Sequence, residues 1–170
     1  DIVKAKYIIV WGANPAWCSM HSVKFLYEAK KRGAKLVVVD PIFTQTAAKA
    51  DVHWQVKTGT DGALALGMCR HLLDIGRVDR DFVDNHSHGF EEFADYLRKN
   101  VSVDWAARTS GIPAEEIRGV TEEFSSVSPA TVWIGYGMQR HTNGGAAVRS
   151  IDAFVAMTGN VGVEGGGARY

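Results

Sequence analysis

Tyr7-Ile8-Ile9-Val10-Trp11-Gly12-Ala13-Asn14-Pro15 is an apolar run that stops on a Gly/Asn/Pro turn. Its apolar residues are continuous, not alternating, which reads as a strand buried on both faces and so as part of a parallel sheet. Outward from this run, residues 6–11 make the first strand. Val23, Leu26 and Tyr27 then follow at helical spacing and lead to Arg32-Gly33, a cation in the last turn with a C-cap glycine. Residues 35–40 are a second buried strand, rich in β-branched valine, that ends on Asp40 ahead of Pro41. A strand, a turn, a helix and a strand ending on an acid form a ligand crevice at the carboxyl edge of an open α/β sheet.

The same alternation continues. A helical turn over residues 46–50 precedes a third strand, residues 52–57, where His53 and Gln55 alternate with Val52, Trp54 and Val56 as on a sheet edge. Asp61 follows the turn Thr58-Gly59-Thr60, and Leu64, Met68, Leu72 and Ile75 then mark one helix face up to Gly76. Phe90, Phe93, Ala94 and Leu97 fit an amphipathic helix, and Pro113 stands at the first position of another that carries Ile117, Val120 and Phe124. Residues 130–134 are a fourth buried strand ending on Gly135-Tyr136-Gly137, after which Val148, Ile151 and Val155 stripe a last helix up to Gly159. Right-handed crossovers then give a doubly wound, mainly parallel α/β sheet of order 3-2-1-4 with helices on both faces. In that order the turns after the first and fourth strands face each other, lined by Asn14, Gly135 and Gly137.

Bulk composition bounds the function. The 170 residues are 46% hydrophobic and 22% charged, which suits one domain spanning residues 1–170. Nineteen basic and nineteen acidic residues cancel, so no broad field points to nucleic acid or to an anionic membrane, and a phosphate has to be held locally. No apolar run approaches the ~20 residues of a membrane span. Cys18 and Cys69 stand far apart without Cys-x-x-Cys partners, so neither a disulfide framework nor a zinc site is indicated. The chain reads as a piece of a longer protein.

Several residues carry chemistry, each with a plainer alternative. Gly12 stands alone, without the Gly-x-Gly-x-x-Gly of a dinucleotide turn, and no Gly-Lys-Ser/Thr follows any strand. Asn14 can offer an amide to a ligand, with the N–H groups of the following helix facing an anion; otherwise the segment is an ordinary turn. Asp40 suits ribose hydroxyls, or simply ends its strand. Asp61 suits guanine, whose ring N–H and exocyclic amine can both donate to one carboxylate, or else caps a helix. Gln139-Arg140-His141-Thr142-Asn143-Gly144 gathers polar groups beside the expected crevice, with Arg140 the strongest candidate for a phosphate and a surface loop the alternative. Cys18 and His21 have no further ligand at zinc spacing, and His86 and His88 read as a solvated turn. There is no Ser-His-Asp set.

Taken in series, Trp11-Gly12-Ala13-Asn14-Pro15, Val39-Asp40-Pro41 with Thr44 and Ala47, and Lys57-Thr58-Gly59-Thr60-Asp61-Gly62-Ala63-Leu64 resemble the molybdopterin oxidoreductase (dimethyl sulfoxide reductase) family in order and spacing. Gly135 to Gly144, Thr158-Gly159-Asn160-Val161-Gly162 and Gly165-Gly166-Gly167 extend the resemblance over nearly the whole chain. It implies a Rossmann-like domain that embraces one of two molybdopterin guanine dinucleotides (bis-MGD) whose dithiolenes hold molybdenum or tungsten. By position, Trp11, Gly12, Asn14 and Pro15 would contact the cofactor; Asp40, Pro41 and Thr44 would line its nucleotide; Gly59, Thr60 and Asp61 would hold the guanine; and Gly135, Gly137, Gln139, Arg140 and His141 would approach the pterin or the phosphates.

The resemblance places the family's metal ligand upstream of this segment, so no catalytic or metal-ligating residue is expected here, and Cys18 lies in the wrong block to be one. An iron-sulfur cluster, carried by many members, would belong to absent parts. The implied partners are the remaining domains of a parent oxidoreductase and an electron-transfer subunit, with no membrane contact by this domain. Cytoplasm and periplasm both stay open, and the isolated segment is expected to be inactive. The alternative is a metal-free nucleotide-binding regulatory domain of doubly wound type.

Overall fold

The computed structural model describes residues 1–170 and is organised on a five-stranded sheet of order β3-β2-β1-β4-β5, every neighbouring pair parallel. The strands are β1 (Tyr7–Trp11), β2 (Lys35–Val39), β3 (Val52–Trp54), β4 (Ala130–Ile134) and β5 (Gly167–Arg169). The expected 3-2-1-4 order is present, extended by one strand that the sequence reading lacked. β3 lies at the edge as expected but stops at Trp54, before Lys57. β1 is buried along its whole length, which its unbroken apolar run requires of a central parallel strand.

Eight helices connect the strands: α1 (Pro15–Cys18), α2 (Met20–Lys31), α3 (Asp61–Asp74), α4 (Arg80–His86), α5 (Phe90–Asn100), α6 (Val103–Ser110), α7 (Ala114–Ser125) and α8 (Gly144–Met157). Successive strand side chains point to opposite faces and so feed two separate cores. Tyr7, Ile9 and Trp11 join Val37, Val39, Val132 and Ile134 under α3 and α5–α8, while Ile8 and Val10 join Leu36 and Val38 under α2. The first core holds 30 buried residues and the second 11, so one face is thickly covered and the other thinly.

Local chemistry explains the element boundaries. α4 and α6 were not anticipated, being only 7 and 8 residues long, yet Asp79 caps the first by accepting from Phe82 N and Ser102 caps the second by accepting from Trp105 N. Pro113 is the N-cap residue of α7, one position before the place its ring geometry suggested. Phe124 stacks against Tyr7 and Phe154, with ring centroids 5.6 and 5.0 Å apart, and so ties α7 and α8 to the sheet. Asn160, buried after α8, accepts from Ala130 N at 2.9 Å and fixes the start of β4.

Candidate functional site

All strands end on the same edge, and the loop after β1 ties the other loops together there. Gly12 takes the left-handed conformation (φ +62°), which lets the chain turn sharply out of β1. Gly135 N donates to Trp11 O at 2.8 Å and Gly137 N to Gly12 O at 3.2 Å, so the loops after β1 and β4 face each other as expected. The approach is close: a Cβ at Gly135 would lie 2.3 Å from Gly12 O, and one at Gly137 would lie 3.0 Å from it. These two glycines keep the floor of the crevice free of side chains.

Asn14 faces the second loop. Its Oδ1 accepts from Thr46 Oγ1 at 2.7 Å and its Nδ2 donates to Gln45, while Ala16 N donates to Thr46 Oγ1. The amide expected to greet a ligand is therefore occupied in holding the loop at residues 44–47. The expected anion-facing helix start is also absent, because α1 is one turn opened by Pro15, which has no N–H, and Trp17 N and Cys18 N both donate to Asn14 O. Thr44 Oγ1 accepts from Ala47 N within the same loop, which Pro41 introduces.

Asp40 is half-buried just past β2, where its Oδ1 accepts from Ile42 N at 2.9 Å. Burial raises its pKa; the Ile42 N–H and the nearby His53 oppose that rise, and the charge of Asp61 adds to it. Asp61 opens α3 and is 93% buried, and the structure gives it a partner that neither sequence reading supplied: Trp11 Nε1 donates to Asp61 Oδ1 at 2.8 Å. Thr60 holds the N-cap position, but its hydroxyl donates back to Lys57 O, so the helix-cap role falls to neither side chain. Neither Asp40 nor Asp61 is paired with a cation.

The fourth loop closes the circle. Residues Tyr136–Arg140 form a 3-10 turn, a Cβ at Gly59 would lie 3.5 Å from His141 Nδ1, and Asn143 Nδ2 donates to Gly59 O at 3.0 Å. Gln139, Arg140 and His141 are exposed, and Arg140 makes neither a hydrogen bond nor an ion pair. The Gly59–Asp61 turn and the loop after β4 thus meet, a contact the sequence did not foretell. Cys18 and His21 are exposed, and nowhere do three His, Cys, Asp or Glu side chains gather as a metal site.

A cavity of about 790 Å³ opens beside this edge on the thinly covered face. It includes Gly12, Asn14, Gly135 and Gly137 and continues over Trp17, Trp133, Tyr136 and Tyr170, whereas Asp40, Asp61 and Arg140 lie outside it. No helix covers β4 and β5 there, which leaves Trp17 74% and Tyr136 63% exposed. Sequence reasoning missed Trp133, Arg169 and Tyr170 as part of the concavity, because strand β5 supplies one wall and its glycines carry no strand pattern.

A doubly wound parallel sheet whose carboxyl-edge loops meet over a glycine floor defines a Rossmann-like class of α/β domain. The match to known proteins is specific: the family model for molybdopterin oxidoreductases covers residues 1–170, and the chain belongs to that family. A Bacillus subtilis protein named as a probable oxidoreductase, YyaE, is 40% identical over the full chain, which spans 25% of that protein. Dimethyl sulfoxide reductase DmsA of Escherichia coli is 31% identical over 99% of the chain and 24% of its own length. Acetylene hydratase from Pelobacter acetylenicus superposes with a TM-score of 0.86 at 30% identity, over 96% of this chain and 22% of that one. The chain therefore spans about a quarter of the length of these relatives.

Proposed function

We propose that residues 1–170 act as one domain of a larger molybdopterin oxidoreductase and hold the guanine nucleotide of one molybdopterin guanine dinucleotide at the carboxyl edge of the sheet. The observation that carries this reading is the set of groups without charge partners, Asp40, Asp61 and Arg140, on the carboxyl-edge loops, where Gly135 and Gly137 let the loops after β1 and β4 approach closely. Their chemistry fits the group: Asp61 accepts from the guanine ring N–H and amine, Asp40 accepts from ribose hydroxyls, and Arg140 donates to phosphate oxygens. Gly12, Gly135 and Gly137 leave room for the pterin end, with Pro15, Thr44, Gly59, Thr60, Gln139 and His141 shaping the surrounding loops. Trp11 is fully buried and takes part only through Asp61.

When bound, the molybdenum or tungsten dithiolene centre supplies two-electron redox chemistry, and this chain supplies binding and orientation. The metal ligand, any iron-sulfur cluster and any electron-transfer subunit belong to the rest of the parent protein, so the 170-residue chain alone is inactive. Retention assays with extracted cofactor test the reading. The chain should retain the guanine dinucleotide form and release the nucleotide-free molybdopterin; equal retention of both would remove the nucleotide role, and turnover by the chain alone would contradict its inactivity.

A further inference from the structure

We propose that Trp11 is a positioning residue for base selection: its indole N–H holds the Asp61 carboxylate in the orientation that reads guanine. The inference rests on the nucleotide-binding reading above and adds a residue that never touches the ligand. Trp11 is fully buried at the end of the central strand, and its only polar side-chain atom donates to Asp61 Oδ1 at 2.8 Å. The donor is fixed in turn, since Trp11 O accepts from Gly135 N and the residue pairs with Val39 on one side and Ile134 on the other.

The second oxygen completes the geometry. Asp61 Oδ2 makes no hydrogen bond, yet no side-chain oxygen or nitrogen in the molecule is both sealed from solvent and unpaired. Oδ2 therefore opens to solvent while Oδ1 is held on the core side. A carboxylate with one oxygen clamped turns less freely about its last bond and favours one orientation toward a base over an ensemble. Each carboxylate oxygen has two lone pairs, so the Trp11 bond leaves Oδ1 able to accept a second donor. Guanine brings two adjacent donors, the ring N–H and the exocyclic amine; hypoxanthine lacks the amine and isolates the contribution of the second.

The test uses the full chain with GDP and IDP as probes, comparing the ratio of their dissociation constants. In the wild type GDP should bind about tenfold or more tighter than IDP, the expected value of one hydrogen bond to a charged group. Trp11→Phe removes the donor, and benzothienylalanine installed at position 11 removes it while keeping the fused ring, so a packing defect in the first variant is separable from loss of the N–H. Both should narrow the ratio to about twofold, because a mobile carboxylate loses the second contact. A wild-type preference that survives in the benzothienylalanine protein overturns the role of Trp11 and leaves the guanine site standing. A wild type that binds neither probe, or binds both equally, removes the guanine site and this inference with it.

Discussion

The two edges of the same sheet handle charge in opposite ways. At the amino edge each carboxylate meets a cation: Glu123 pairs with Lys35 and also accepts from Tyr7 Oη at 2.9 Å, and Asp51 pairs with Lys30 while accepting from Leu36 N at 2.8 Å. Burial pushes the Asp51 pKa up, but the Lys30 ammonium, the Leu36 N–H and Lys35 outweigh it and hold it below the ordinary value. The Tyr7 hydroxyl, desolvated and beside Glu123, is pushed upward. At the carboxyl edge Asp40 and Asp61 have only N–H partners and Arg140 has none. Matched charges close the amino edge structurally; the carboxyl edge leaves its charges without ionic partners, which is what the proposed nucleotide site would use.

Substitutions at the two edges should therefore separate binding from stability. The largest effect is expected at Gly135→Ala, where the new methyl would meet Gly12 O at 2.3 Å and force the first and fourth loops apart. Thermal unfolding should show a loss of about 3 kcal/mol, or about 6–12 °C in Tm, with nucleotide binding abolished. Asp61→Asn should come next, weakening GDP by about 10- to 100-fold in calorimetric titration while Tm barely moves, because the amide oxygen can still accept from Trp11. An unchanged GDP affinity would leave Asp61 a purely structural partner of the indole.

Asp40→Asn and Asp51→Asn form the next pair. Asp40 has a raised pKa, so its charged form opposes folding at neutral pH and the opposition is relieved as pH falls through the raised value. Its amide variant should be as stable as the wild type or slightly more so at pH 7, and should bind GDP about fivefold more weakly through the lost ribose contact. Asp51 has the opposite sign: its depressed pKa adds stability above the ordinary carboxylate value, lost as pH falls through the depressed one. Asp51→Asn should cost about 1 kcal/mol or less after solvent screening and leave GDP affinity alone. Melting curves taken between about pH 7 and pH 3 should be flatter for this variant than for the wild type. The smallest effect is expected at Arg140→Ala, a few-fold loss of GDP affinity that shrinks as salt is added, with no change in Tm.

The sequence carried the strands well and their partners poorly. β1, β2 and β4 were legible because a parallel strand buried on both faces must be an unbroken apolar run, as residues 7–11 are. β5 was not, since Gly165-Gly166-Gly167 has no side-chain pattern; its pairing rests on contacts such as Thr131 Oγ1 donating to Gly167 O across the sheet. The facing of the loops after β1 and β4 was legible, but the destination of each polar atom was not. Trp11 and Asp61 are 50 positions apart and Asn14 and Thr46 are 32 apart, and no local spacing rule reaches so far.

The most direct test of the carboxyl-edge assignment is a backbone amide NMR titration of the full chain with GDP. Shifts are expected at Gly12, Asn14, Asp40, Gly59 to Asp61 and Gln139 to His141, with Tyr7, Lys35, Asp51 and Glu123 unmoved. Shifts confined to the amino edge, or none at saturating GDP, would contradict that assignment.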